Sequence, residues 1–542
     1  MQALQVYLKA NASATFALPS TMATLPNIRW SGPVTALTAP VTTLPNGVII
    51  PVTHAAIGGP IRARLAPLPG NPTLNGYPCL AVSRPYTCRG VSRDTTSRSA
   101  MRIKTDAPVL EITGVVPDNG GALPVMIVDG QLAPPVAFAA SRGSPGGYSA
   151  GTLVVDFGSR AVRDIWIEPL MHLAHIKIDA QDTLLNANDH DEPQITVIGD
   201  SYLQSHSTTF PSDGGIAFEL GARLGLRKIA FDAVGGTGYY NTGGGLGNLN
   251  DRLPAHAGDN SLIYLVIAGL NDYGDANGWP TRADFEASVN DYVKNLRSQQ
   301  PKALIVVTAP FCPIAPYSNT AHVVNPATNT SGLGDFMYMA KLHKDALAQI
   351  AGPWVYIDVL LGGGWVNSSG ASGDITNLQW FTGGNAPAGV AIGGGGGFGG
   401  IKSVPLISGG QYSRGPNMIA TGGSGQGLLL SGVIDGTGAL TGVSIHSSGS
   451  GYTDGAGLPT ITIDPEYMIT PAVVGTPVLT TGYNGDPTTA NYPLPSNAPL
   501  NATDLNNIYR LLWEDHVHPS VVGVEYIGKR LAENIYQAVM AL

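Results

Sequence analysis

The sequence predicts an α/β protein: a parallel sheet of about five strands covered by helices on both faces, with an all-β region before it and a β-rich insertion within it. Three observations predict this. From about residue 194, short apolar runs alternate with helical patterns. Ahead of that point, six β-type runs recur at regular spacing, separated by Gly, Pro, Asp and Asn. Between about 384 and 484 the alternation gives way to glycine-rich and then β-like sequence.

Taken in order, residues 1–95 are rich in Pro, Thr, Ala and Gly with short apolar runs, and read as short strands and turns. Residues 96–187 hold MRIKTDA, VLEITGV, PVMIVDG, GTLVVDFG, DIWIEPL and AHIKIDA, the spacing of a β-sandwich or jelly roll. Residues 188–383 carry the alternation. ITVIGDS is a buried strand ending in a polar turn, GIAFELGARLG a helix, KIAFDAVGG the second strand and SLIYLVIAG the third. Residues 282–298 form an amphipathic helix with Phe285, Val289, Tyr292, Val293 and Leu296 on one face and Thr281 and Asp284 as its capping box. ALIVVTAP is the fourth strand, DFMYMAKLHKDALAQI a helix and WVYIDVL the fifth strand. Strands buried on both faces read as such continuous apolar runs. Residues 384–484 (AIGGGGGFGG, then GLLLSGVID, GALTGVSIH, GLPTITID) are an insertion, and 485–542 return to helix, so the α/β unit is discontinuous.

Whole-chain properties exclude several classes. The chain has 542 residues, enough for two to four domains, and only 12% are charged. Its net charge is −9 and no long Lys/Arg run occurs, so a nucleic-acid partner is not expected. No run of about 18 apolar residues occurs, so no membrane partner is expected either. The N-terminus lacks a basic region followed by a long apolar run, so no signal peptide is visible. Cys79 and Cys88 are spaced for a short loop disulfide or stand as two free thiols, and Cys312 reads as a small buried hydrophobe. No Cys or His spacing suggests a metal, and no phosphate-loop or dinucleotide fingerprint suggests an organic cofactor.

Four blocks carry the chemistry. Gly199-Asp200-Ser201 closes the first strand, where the next helix can aim free N–H groups at an anion. Gly235-Gly236-Thr237-Gly238-Tyr239 follows the second strand and lets backbone N–H groups approach a ligand. Gly269-Leu270-Asn271-Asp272 follows the third, and an Asn there can donate to an oxyanion, or serve as a turn residue. Asp515-His516-Val517-His518 puts an acid and an imidazole three apart, so a carboxylate can hold the ring's tautomer. A metal pair of His516 and His518 is the alternative, without other ligands to support it.

In kind, order and placement these blocks resemble those of the SGNH (GDSL-like) hydrolase family, over about residues 190–383 and 485–542. The resemblance implies a flavodoxin-like three-layer α/β/α sandwich and a serine esterase that needs no cofactor. It implies Ser201 as nucleophile, His518 as general base and Asp515 as its orienting acid. It implies an oxyanion hole of the Ser201 N–H, the Gly238 N–H and the Asn271 side chain. The family's second block usually opens with Asn five residues before its oxyanion glycine. Here Ala233 stands at that place beside Asp232, and Gly236 is the alternative register. Asp272 reads as support for the Asn271 loop, and His206 as a rim residue.

The preceding β-sandwich, the insertion's likeness to phage-tail or surface modules, and the low charge point to short acyl esters, O-acetyl above all, on a polysaccharide. They also point to an extracellular or virion-associated protein, with a homo-oligomer fitting the tail setting. A small-ester or lipid carboxylesterase, and a glycan-binding surface protein with a vestigial hydrolase unit, are the other readings.

Overall fold

In a computed structural model, the residues described are 1–34, 42–60, 65–67, 73–74, 77–78, 80–82, 100–117, 125–133, 148–168, 172–187, 192–204, 215–273, 282–311, 336–359, 364–373, 401–412, 416–424, 426–434, 437–450, 452, 455–465, 468–479, 519 and 521–542. The three cysteines, Thr281, His206 and the Asp515–His518 block lie outside them.

The central sheet holds β1 (Gln194–Gly199), β2 (Lys228–Ala233), β3 (Ile263–Ile267), β4 (Leu304–Thr308) and β5 (Trp354–Asp358), parallel and in the order β2-β1-β3-β4-β5. That is the flavodoxin-like order. Two antiparallel strands, β6 (Gly364–Asn367) and β7 (Ser372–Gly373), extend the β5 edge, so the sheet is mixed rather than wholly parallel. Every residue of β3 and β4 is buried, because helices cover the sheet.

Those helices are α1 (Gln2–Asn11), α2 (Ser201–Gln204), α3 (Gly215–Leu224), α4 (Leu249–Arg252), α5 (Arg282–Gln299), α6 (Phe336–Ala348) and α7 (Val521–Met540). On α5, Phe285, Val289, Tyr292, Val293 and Leu296 are buried in the core, each contributing about 1.5–3 kcal/mol. α1 corrects the expectation of strands and turns at the N-terminus. Its Leu4 and Leu8, one turn apart, enter the same core, and Gln5 Nε2 donates to Val539 O on α7 at 2.9 Å. α7 crosses α3 where Gly528 meets Glu219: a Cβ at Gly528 would lie 2.3 Å from the Glu219 Cβ. Among the described residues no helix is long and apolar enough to cross a membrane.

The all-β region is two sheets closed over one core. A five-stranded sheet runs Gln131–Ala133, Val125–Val128, Arg163–Glu168, Met101–Thr105, Leu184–Leu185. Met101 and Ile103 alternate inward with Arg102 and Lys104 outward, the period-two pattern of a half-buried strand. The facing seven-stranded sheet supplies Leu110, Ile112, Leu153, Val155 and Ile176. The boundary expected at residue 95 does not separate two units. Asn27–Val34 pairs with Tyr148–Asp156, and Val48–Pro51 pairs with His172–Ile178, both in this sheet. The sandwich is fastened to the α/β layer by Ala100 N–H donating to Ile229 O at 2.9 Å and by Arg102, which reaches both Asp164 and Glu192.

The insertion is a nested ribbon. Ile401–Ser403, Leu406–Ser408 and Gln411–Tyr412 lead out; Met468–Thr470, Val473–Val474 and Val478–Leu479 return antiparallel to them. A four-stranded sheet within 417–463 closes the tip over Tyr412, Met418, Leu428 and Leu430. Ile401 pairs with Leu479, so the segment leaves and rejoins at one place.

Candidate active site

β1 ends at Gly199, where a side chain has no room: a Cβ would lie 2.1 Å from the Ile267 carbonyl oxygen of β3. The chain then turns through Asp200 into α2. The buried Asp200 carboxylate accepts the Tyr202 N–H at 3.0 Å, and its carbonyl accepts the Leu203 N–H at 3.2 Å. Asp200 is therefore the N-cap, and Ser201, half-buried, is the first helical residue. In this strand order the direction of winding reverses between β1 and β3, and ligands bind at the carboxyl ends of the strands there. Ser201 follows the first of these strands and Asn271 the second.

The second block is latched to the first. The Val234 N–H donates to Gly199 O at 3.0 Å, and the Thr237 N–H closes a turn on Val234 O at 3.3 Å. Gly236 takes φ +78 in that turn, a conformation that strains L side chains, and it is exposed. Beyond the turn the chain dives inward. The Asp272 carboxylate, fully buried, accepts the N–H groups of Tyr239, Tyr240 and Asn241 at 2.8, 3.0 and 2.8 Å. Asp272 thus supports the loop after β2, whereas its sequence position suggested support for its own Asn271 loop.

This geometry corrects the assignment of Gly238. Its N–H donates to Asn241 O at 2.9 Å, and a Cβ on it would lie 2.3 Å from Asp272 Oδ2. Gly238 is packed against the carboxylate, and its N–H is already used. The Gly236 N–H meets no acceptor among the described residues, so the alternative register fits the loop.

Asn271 lies in the short 3₁₀ turn Leu270–Tyr273 and donates from Nδ2 to Thr237 O at 3.0 Å; Asn241 Nδ2 donates to Asn271 O at 2.8 Å. An Asn amide carries two hydrogens, and the half-buried side chain keeps one beyond the Thr237 bond. The structure therefore brings together the loops of Ser201, Gly236 and Asn271. Asp515 and His518 lie outside the described residues.

Two histidines near these loops are committed elsewhere. His343 Nδ1–H donates to Thr308 O at 3.0 Å, and burial pushes its pKa down to about 4, so the ring is neutral. His256 is clamped between Asp232 and Asp259 at 2.9 and 2.8 Å. Burial first, and then Tyr292 and Asp272, hold the Tyr239 phenol far above its ordinary range. None of the three is suited to exchange a proton with a substrate. Among the described residues no group of three His, Cys, Asp or Glu side chains is set to hold a metal ion.

Sequence reasoning passed over Arg252 and His256. Both stand outside any block, and the one local signal is the Asn248–Asp251 capping box that starts α4.

No protein-family model and no curated protein matches the chain. Solved structures do. A salicylyl-acyltransferase from a tetracycline biosynthetic pathway is 16% identical with TM-score 0.42, covering 58% of this chain and 85% of that one. A family two carbohydrate esterase from Cellvibrio japonicus is 13% identical with TM-score 0.38, covering 57% and 89%. Another, from Clostridium thermocellum in complex with cellohexaose, is 17% identical with TM-score 0.35, covering 52% and 87%. These are distant likenesses, and none assigns an activity to this chain.

Proposed function

We propose that the chain is a serine esterase of the SGNH type, acting on short acyl esters, O-acetyl above all, of a polysaccharide. One observation carries the proposal: the loops after β1, β2 and β3 are tied together at the reversal point of the sheet. Ser201 opens the helix after β1, the Val234 N–H ties the second loop to Gly199 O, and Asn271 Nδ2 ties the third loop to Thr237 O. Residues 188–383 and 485–542 form the hydrolase unit in this reading, and 384–484 the insertion.

Ser201 Oγ attacks the acyl carbon as His518 takes its proton, and Asp515 holds the imidazole's orientation. The oxyanion receives hydrogen bonds from the Ser201 N–H, the Gly236 N–H and Asn271 Nδ2. Each such donor is worth about 3–4 kcal/mol at the transition state. Collapse of the tetrahedral adduct expels the alcohol, which His518 protonates, and water then releases the acid by the reverse sequence. The scheme calls on no metal or organic cofactor. A β-sandwich and a β-ribbon of low charge on the same chain favour a glycan substrate outside the cell or on a virion.

The test is hydrolysis of p-nitrophenyl acetate, butyrate and a long-chain ester, and acetate release from acetylated polysaccharide, by wild type and Ser201→Ala. Turnover of short esters that vanishes in the variant supports the proposal. Equal rates for the two proteins sink it.

A further inference from the structure

We propose that Arg252 is a positioning residue that locks the nucleophile's strand end to the oxyanion loop; this rests on the esterase reading. The Arg252 side chain, 2% exposed at the end of α4, reaches three places at once. One terminal nitrogen donates to the Gly199 carbonyl at 3.0 Å, two residues before Ser201. The other donates to Thr237 Oγ1 at 2.9 Å, the residue after Gly236. Nε lies 3.4 Å from Asp232 Oδ2. The Thr237 hydroxyl gives its own hydrogen to Val234 O at 2.7 Å, so it accepts from Arg252.

A planar fork suits this task and an ammonium does not, because two acceptors, one at the end of β1 and one in the loop after β2, must be met at fixed spacing. A buried guanidinium also needs a fixed counter-charge. Asp232 supplies it, and His256 holds Asp232, with Nε2 2.9 Å from Asp232 Oδ2 and Nδ1 2.8 Å from Asp259 Oδ2. Gln300 Nε2 fixes His256 in turn by donating to its carbonyl at 2.7 Å. The chain of contacts runs from the floor of the sheet to the two loops that must hold Ser201 and the Gly236 N–H in register. Arg252 itself is buried and touches no substrate, so its effect on rate passes through those loops.

The experiment compares wild type, Arg252→Met, Arg252→Lys and Thr237→Val in p-nitrophenyl acetate turnover per folded molecule and in amide exchange of residues 234–238. Arg252→Met is expected to lower kcat about 100-fold, with KM changed by less than about threefold, because a misplaced site loses rate rather than binding. Exchange of the 234–238 amides rises in the same variant. Lys restores little, because one ammonium cannot meet both acceptors at their spacing. Thr237→Val removes one acceptor while keeping the arginine, and is read in the same way should the Met variant not fold. Unchanged kcat and unchanged loop exchange in these variants overturn the proposal. An inert wild type whose loop exchange still rises on substitution sinks the esterase reading instead.

Discussion

Asp272 sets the shape of the loop after β2 with a single carboxylate. It accepts three backbone N–H groups in a fully buried place. Asp272→Asn keeps the size but turns an amide NH₂ toward donors that need an acceptor. Bonds to charged groups are worth about 1.5–3 kcal/mol each, and a buried donor left unmet costs about 1–3 kcal/mol. The variant is therefore expected to lose about 2–4 kcal/mol in urea unfolding, with kcat falling more than KM rises; a loss under about 0.5 kcal/mol would contradict this account. At this scale the sequence was legible where a residue sits at the end of an apolar run. Ser201 and Asn271 follow β1 and β3 and could be placed at once. Gly236 and Gly238 could not be told apart, because what decides between them is Asp272, 33 residues further along from Tyr239. Arg252 was illegible for the same reason: its acceptor Gly199 lies 53 residues upstream.

Among the elements, the α3–α7 crossing decides how the end of the chain is held. Glycine in a helix interior costs about 1 kcal/mol against alanine, so Gly528→Ala ought to stabilise α7 if propensity governed. The added Cβ, however, would lie 2.3 Å from the Glu219 Cβ, which is fixed to its own backbone, and 3.3 Å from Leu220 N. Overpacking of this kind costs about 1–3 kcal/mol, and a clash with a Cβ and backbone, not with a mobile side-chain end, puts it in the upper part of that range. Gly528→Ala is expected to destabilise, read as a lower denaturation midpoint with unchanged slope; a raised midpoint would show that α7 shifts freely. The elements that periodicity revealed were those with long stripes or unbroken apolar runs, such as α5 and β3. α1 escaped because its two core residues, Leu4 and Leu8, are too few to mark a helical period. β6 and β7 escaped because their order comes from neighbours. Tyr356 pairs with Val366, and Asn367 Nδ2 donates to Ala538 O at 3.0 Å.

For the whole molecule, regular spacing of strands foretold a sandwich, but not that strands from residues 27–82 would be zipped into it. Pairing such as Asn27 with Asp156 joins segments far apart in sequence, and no local pattern encodes a partner at that distance. The layered burial has a consequence for acid stability. His343 lies inside the α/β layer against Tyr239, with ring centroids 4.9 Å apart, and burial lowers its pKa from 6.5 to about 4. The unfolded chain therefore holds this proton more tightly than the folded one. Its stabilising share stands in full above pH 6.5 and drains as pH falls toward about 4, with no further change below. Between pH 7.5 and 4.5 that amounts to roughly 2–3 kcal/mol. His343→Phe keeps the aromatic contacts with Tyr239 and Phe285, loses the bond to Thr308 O, and cannot take up the proton. It is expected to be less stable than wild type at pH 7.5 by about 1–2 kcal/mol and to show a shallower loss on acidification. Urea unfolding of both proteins at the two pH values measures the difference directly. Parallel losses in the two proteins would mean that His343 takes its proton inside the fold as readily as outside it, and that the core around Tyr239 and Phe285 admits charge.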